Sequence, residues 1–299
     1  MAPQFNRRGF LKRSAALAGA LASGQLLSPI SLSAQAKDAD ISVVNGDDPG
    51  AMVREALELL GGIERFVKRG DAVALLPNPQ GGRPGVSTNA GMVAETIKLC
   101  LEAGAAQVTV ASIHQPKRWF DAGIIDEVEK AGGKIHYPST DEDWVQIPVP
   151  KGRILEEVPV IRKALENDAL INMPIAKQHD SAQMTCTLKN LMGFHANNRS
   201  FHQGAAHLHQ CIVDLATLFS PKLLIVDANT VLAENGPFGP GKLISPNKVI
   251  AGTDMVAVDA FCCGIFQLKP TQVAHITGAH DVGLGEIDAS RLAFREARI

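Results

Sequence analysis

The residues with the most chemical potential lie between positions 177 and 209. Lys177 and His179 alternate just beyond an apolar run, Ala169-Leu-Ile-Asn-Met173, that stops at Pro174. The run reads as a buried strand, and ligands of α/β sheets gather beyond the carboxyl ends of strands. A lysine and a histidine placed there would supply a nucleophile or anion clamp and a proton-transfer group, with His179 as acid or base. Solvated loop side chains are the competing account. Lys189 and Asn190 follow in an apolar, turning segment that reaches Gly193. Burial of such an amine lowers its pKa and makes it usable as a nucleophile.

Four of the nine histidines, His195, His202, His207 and His209, crowd into this region. Neutral imidazoles ligate metals, and His202 and His209 share a face if the helix carrying His209 extends back to His202. His207 and His209 diverge on a helix, so this segment alone does not complete a tetrahedral site. Solvated or capping roles compete for each histidine. Asp227 ends another strand at the ligand-binding edge. Asp254 reads as a helix cap, whereas Asp259 lies within an apolar helix, where an acid needs a partner of structural or site character. The turn-rich loop Asn235–Gly241 contains Pro237 and Pro240, which remove amide donors and argue against a phosphate cradle. No G-x-S-x-G, P-loop, H-E-x-x-H or dinucleotide-binding glycine motif occurs.

Positioning these groups requires alternating strands and helices. The spacing predicts a strand over Asp71–Leu76, a helix started by Ser87, Thr88 or Asn89, a strand over Gln107–Ala111, a helix over Ile124–Lys130 and a short strand over Lys134–Tyr137. Val145–Val149 reads as an edge or crossing segment and Leu155–Leu165 as a helix. Beyond Met173 the pattern predicts a helix over Ala205–Phe219, strands over Lys222–Asp227 and Lys248–Ala251, and a helix capped by Thr253 or Asp254 that runs to about Gln267. The fold class expected is α/β, with three layers: a mostly parallel sheet and helices on both faces.

The chain has 299 residues, 45% apolar and 20% charged, with a formal net charge of −2. Disordered and collagen-like architectures are excluded by this composition. The near-neutral charge conceals two unlike parts. Residues 1–36 hold four of the 29 basic residues and no acid, which leaves 25 bases against 31 acids, or about −6, for the remainder. Asn6-Arg7-Arg8-Gly9-Phe10-Leu11-Lys12 matches a twin-arginine export signal, followed by a weakly apolar stretch from Ala15 to Leu27 and a small-residue cleavage site at Ala34-Gln35-Ala36. The expectation is a periplasmic protein delivered by the twin-arginine translocase, with residues 1–36 removed and no permanent membrane anchor. Residues 37–299 then form a single α/β domain, with a candidate junction of two sub-lobes near 140–170. Acidity and only 14 aromatic residues make a nucleic-acid partner unexpected. Cys100, Cys186, Cys211, Cys262 and Cys263 form no C-x-x-C, and they read as small buried hydrophobes with at least one free thiol.

A further set of segments carries a family resemblance. These are Leu76-Pro-Asn78, Asp168-Ala-Leu-Ile-Asn-Met-Pro174, Ala176-Lys-Gln-His179, Thr187-Leu-Lys-Asn-Leu-Met-Gly193, Leu208-His-Gln210, Ile225-Val-Asp-Ala228, Asn235-Gly-Pro237 and Val256-Ala-Val-Asp259. In them the chain resembles the bacterial and archaeal domain of unknown function 362 family. Many relatives add a ferredoxin-like cysteine module. This chain lacks those cysteines, so no cysteine-ligated iron–sulfur cluster is expected. A fainter similarity of residue order is to the amino-terminal half of lactate racemase and its nickel-pincer relatives. That resemblance implies a metal, nickel or iron, or an organometallic cofactor held by Lys189, with His202 or His209 as ligand and His179 as proton carrier.

The resulting expectation is a ligand or cofactor pocket lined by Lys177, His179, Lys189, Asn190 and His209, with Asn78, Asp227 and Asp259 as further binding residues. An enzyme doing proton-transfer or redox chemistry on a small polar substrate is one version. A metal- or cofactor-binding maturation protein without turnover, or a structural partner of an exported cofactor protein, are the rivals.

Overall fold

Apolar runs bounded by Gly, Pro and Asn become the strands of the protein, in a computed structural model that describes residues 41–299. The twin-arginine pattern, the apolar stretch and the cleavage site lie outside the described residues. In chain order the first strands are β1 (Ile41–Asn45), β2 (Ala72–Pro77), β3 (Gln107–Ala111) and β4 (Lys134–His136). Next come β5 (Trp144–Pro148), β6 (Glu157–Ile161), β7 (Ala169–Met173), β8 (Lys177–His179) and β9 (Gln183–Thr185). The last are β10 (Leu223–Ala228), β11 (Val231–Leu232), β12 (Leu243–Ile244), β13 (Lys248–Gly252) and β14 (Phe294–Arg298).

Eight of these form one sheet in the order β14-β1-β13-β10-β7-β2-β3-β4. All run parallel except β13, which is antiparallel to both β1 and β10. The exception follows from connectivity, because parallel neighbours need a crossover, usually a helix, and no helix separates β10 from β13. Only the small β11–β12 ladder lies between them.

Strand residues alternate between two cores, as the period of two requires. Val73, Leu75, Ile171, Ile225 and Val249 pack on one face with Met52, Val53, Leu57, Val93 and Ile97 from the helices Pro49–Leu59 and Ala90–Glu102. Ala74, Leu76, Leu170, Leu224, Val226 and Ile250 pack on the other with Leu208, Ile212, Leu215, Val256 and Val258 from the helices Ala205–Ala216 and Met255–Cys263. The result is a three-layer α/β fold with a mostly parallel sheet. Each fully buried aliphatic side chain in these layers contributes about 1.5–3 kcal/mol. Asn89 caps its helix by accepting from Gly91 and Met92 N–H, and Asp254 caps the other from Ala257 N–H.

The segment read as a helix over Leu155–Leu165 is instead β6, paired with β5 in an antiparallel ribbon outside the main sheet. Pro159 lies at its centre, opposite Gln146. A helix interior would lose a hydrogen bond there, whereas a two-stranded ribbon accommodates the missing N–H. The helix Ala205–Ala216 does not reach back to His202, because Gly204 at φ 104° breaks the chain direction in front of it. The apolar helix after Asp254 ends at Cys263 and passes into a short 3₁₀ turn. All five cysteines are buried free thiols. Among the described residues, no helix is long and apolar enough to cross a membrane.

Candidate functional site

A cleft of about 520 Å³ opens where β2, β3 and β7 release their chains, at the carboxyl edge of the sheet. After β7 the chain makes the β8–β9 hairpin, with Lys177 opposite Thr185 and His179 opposite Gln183. Two positions apart on a strand, Lys177 and His179 share one face. Gln178 between them turns away and accepts from Gly236 N–H through its side chain, which ties the 235–241 loop to the hairpin.

The tight segment after β9 is fixed from behind by Asp259. One carboxylate oxygen accepts from Thr187 N–H and Thr187 Oγ1, the other from Leu188 N–H at 3.1 Å. Burial pushes the Asp259 pKa up to about 6 against these hydrogen bonds. Asp259 therefore places the turn that carries Lys189 and Asn190 but does not line the cleft. Asp227 is likewise structural: its oxygens accept from Asn89 N–H, Asn229 N–H and Asn229 Nδ2, joining the end of β10 to the start of the helix after β2.

Three asparagines form a buried ladder under the cleft. Asn78 Nδ2 donates to Asn190 Oδ1 at 2.9 Å, Asn190 Nδ2 donates to Leu76 O at 3.0 Å and Asn172 Oδ1 at 2.8 Å, and Asn172 Nδ2 donates to Thr187 O. At its head Lys177 Nζ donates to Asn78 Oδ1 at 3.2 Å and Val86 O at 2.6 Å. Lys177 is 1% exposed, and burial, then the charges of Lys189 and Arg118, hold its pKa well below the ordinary lysine range.

Lys189 is in a different state. Its side chain is buried, yet among the described residues its amine has no oxygen acceptor and its hydrogen-bond partner is Met192 Sδ at 3.8 Å. Burial lowers its pKa to about 8, with a small opposing effect from Asp180. His179 is held neutral, its pKa lowered to about 2 by burial and then by Lys189, His202 and Lys177. Two amides, Ser181 N–H and Ala182 N–H, point at His179 Nδ1 at 3.2 and 3.3 Å, so the ring proton sits on Nε2. Asp180 Oδ1 lies 3.0 Å from the same Nδ1, but it accepts from Ser181 N–H as well, and the shared donor relieves the contact of two acceptors. His179 thus lines the cleft as a neutral hydrogen-bond donor.

His202 lines the same cleft and stacks on His179 with ring centroids 6.0 Å apart, its Nδ1 engaged with Asn198 O at 2.7 Å. His209 lies elsewhere. Its Nδ1 is 2.8 Å from His275 Nδ1 and accepts from His275 N–H, giving a buried imidazole pair. The metal ligand pair expected at His202 and His209 is therefore not assembled, and no group of three or more His, Cys, Asp or Glu could hold a metal among the described residues. Of the residues that the fainter resemblance implies, Lys189, His179 and His202 line the cleft and His209 does not.

Sequence reasoning missed His114. It follows β3 at the same sheet edge, by the rule that singled out Lys177, and it lines the cleft. Arg118 donates to Gln80 Oε1, which turns the Gln80 amide towards His114 Nε2 at 2.7 Å and leaves His114 Nδ1–H to donate to Ser112 Oγ. Burial, reinforced by Arg118, Lys177 and Lys189, lowers its pKa to about 3 and keeps it neutral. Thr185 also escaped notice. It lines the cleft and is 3% exposed, and its Oγ1 has no hydrogen-bond partner among the described residues.

A second concavity, of about 540 Å³, lies over helix ends around Asp48, Arg54, Glu95 and Lys98. Its charged groups are largely solvated and paired, as in Arg54 with Glu95 and Glu102, and it lacks buried unpartnered groups.

The fold and cleft define an α/β protein with a lysine- and histidine-lined pocket at the carboxyl edge of its sheet. The chain belongs to the family described as domain of unknown function (DUF362), whose sequence model matches residues 73–264. That span includes every cleft residue named here. A thylakoid-associated protein of Synechocystis is similar, at 29% identity over 264 residues, covering 82% of this chain and 78% of that protein. The lactate racemase apoprotein of Thermoanaerobacterium thermosaccharolyticum shares 14% identity with a TM-score of 0.45, over 81% of this chain and 57% of its own length. The chain thus spans little more than half of that structure.

Proposed function

We propose that this is a periplasmic protein, exported by the twin-arginine translocase, that binds a small polar anion in the cleft. The observation that carries this reading is the pairing of buried basic groups with unanswered polar ones. The buried Lys177 and Lys189 and the exposed Arg199 line the cleft against one acid among the described residues, Asp180, whose side chain is 69% exposed. Among the described residues Lys189 Nζ has no oxygen acceptor and Thr185 Oγ1 has no hydrogen-bond partner. Buried polar groups in folded proteins are nearly always satisfied, and leaving one unmade costs about 1–3 kcal/mol. An anion that accepts from Lys189 and Thr185 recovers that cost. The volume is in the range of small-molecule pockets. The Nε2–H of His179 adds a neutral donor that can polarise an oxygen of the bound molecule.

A thermal-shift panel of mono- and dicarboxylates, phosphate esters and their neutral amide or alcohol counterparts tests the binding. Anions should raise Tm in the wild type and leave Lys189→Met unmoved. Equal shifts with neutral compounds, or none with any anion, contradict the reading. Export is tested by fractionation, where replacing Arg7 and Arg8 with Lys should leave the protein in the cytoplasm.

A further inference from the structure

The two cleft lysines differ in a way that anion binding alone does not require. Lys177 is committed, with Nζ held by Val86 O and Asn78 Oδ1. Lys189 is uncommitted: its side chain is buried, it lines the cleft, and among the described residues its amine's hydrogen-bond partner is a thioether sulfur. From this asymmetry we infer that Lys189 forms an imine with a carbonyl group of the bound anion, so that the ligand class is an oxo acid or another anionic aldehyde or ketone. This inference rests on the anion-binding reading of the same cleft.

The chemistry balances with groups in place. The Nζ lone pair of the neutral amine adds to the carbonyl carbon while His179 Nε2–H donates a hydrogen bond to the developing oxyanion, and one of the two nitrogen hydrogens passes to that oxygen as a proton to give a carbinolamine. The hydroxyl then takes the second nitrogen proton and leaves as water as the C–O bond breaks and the C=N bond forms, so amine and carbonyl become imine and water with no redox change. With a pKa of about 8, Lys189 carries an unprotonated fraction at neutral pH about 300-fold larger than that of an ordinary lysine. Its lower basicity reduces its nucleophilicity, and a net preference of roughly tenfold or more remains.

The test uses glyoxylate as the probe and cyanoborohydride as the trap, which converts an imine into a carboxymethyl amine. The full-length protein is treated at neutral pH with and without excess malonate, an anion lacking an aldehyde or ketone carbonyl. Intact mass and peptide mapping should show one carboxymethyl group, at Lys189, suppressed by malonate and absent from Lys189→Met of unchanged circular dichroism. Labelling spread over exposed lysines with none enriched at Lys189 overturns the inference. If malonate still binds by calorimetry in that case, the anion-binding reading stands without the imine. If malonate and glyoxylate both fail to bind, both readings fall.

Discussion

Replacing Asp259 by Asn should give a stability difference that depends on pH in a direction set by burial. In the wild type three donors, Thr187 N–H, Thr187 Oγ1 and Leu188 N–H, converge on the two carboxylate oxygens. An amide keeps the two Thr187 donors on its oxygen but turns its NH₂ against Leu188 N–H. That mismatch costs about 1–3 kcal/mol. Against it stands the cost of an ionised carboxylate in the core, where burial raises the pKa from 3.8 to about 6. At 1.36 kcal/mol per pKa unit the rise corresponds to about 3 kcal/mol. The native state holds the proton more tightly than the unfolded chain. The stability this supplies is therefore fully present below about pH 4 and is lost as pH rises through about 6. Asn has no titration at this position. Wild type should be the more stable protein at about pH 4, and its advantage should shrink by about 3 kcal/mol by pH 7, to near zero or below. Urea unfolding followed by tryptophan fluorescence, with Trp119 fully buried as reporter, measures both curves. A difference that stays constant with pH, or widens in favour of the wild type, refutes the assignment of Asp259 as a buried, desolvated anchor.

Further outcomes follow from the cleft's scaffold. Asn190→Leu removes the acceptor of Asn78 Nδ2 and the donor to Leu76 O and Asn172 Oδ1. It should cost about 3 kcal/mol or more and lower Tm by roughly 6–12 °C in calorimetry. Lys177→Met removes a buried amine whose folded pKa is depressed by burial and neighbouring cations. The unfolded chain binds that proton more tightly, so wild-type stability should rise relative to the variant as pH climbs from neutrality towards the ordinary lysine pKa. Denaturant midpoints across that range read the trend, and a flat difference counts against the depressed amine.

Much of the framework was legible because single strands and caps are local properties. Gln107–Ala111, Ala169–Met173 and the caps Asn89 and Asp254 lie where periodicity and capping chemistry put them. The ribbon strand β6 was read as a helix because its apolar spacing outweighed Pro159, which a helix interior excludes. In the site, Lys177, His179, Lys189, Asn190, Asn78 and His202 converge as a sheet-edge argument suggests. His209, Asp227 and Asp259 do not line the cleft, because a buried polar residue is answered by whatever the fold brings to it. His209 finds His275, 66 positions away, and Asp259 finds Thr187, 72 positions away. No spacing rule reaches that far. His114 was within reach, since it follows a strand at the same edge.

The central claim is that Lys189 supplies the charge that holds a small anion in this cleft. Calorimetric titration of the wild type and of Lys189→Met with malonate, at about pH 7 and about pH 9, tests it most directly. With a pKa of about 8, the wild-type affinity should fall about tenfold between the two conditions as the amine loses its proton, and Lys189→Met should bind weakly at both. Affinity that is the same at both pH values, and the same in the variant, would contradict the account.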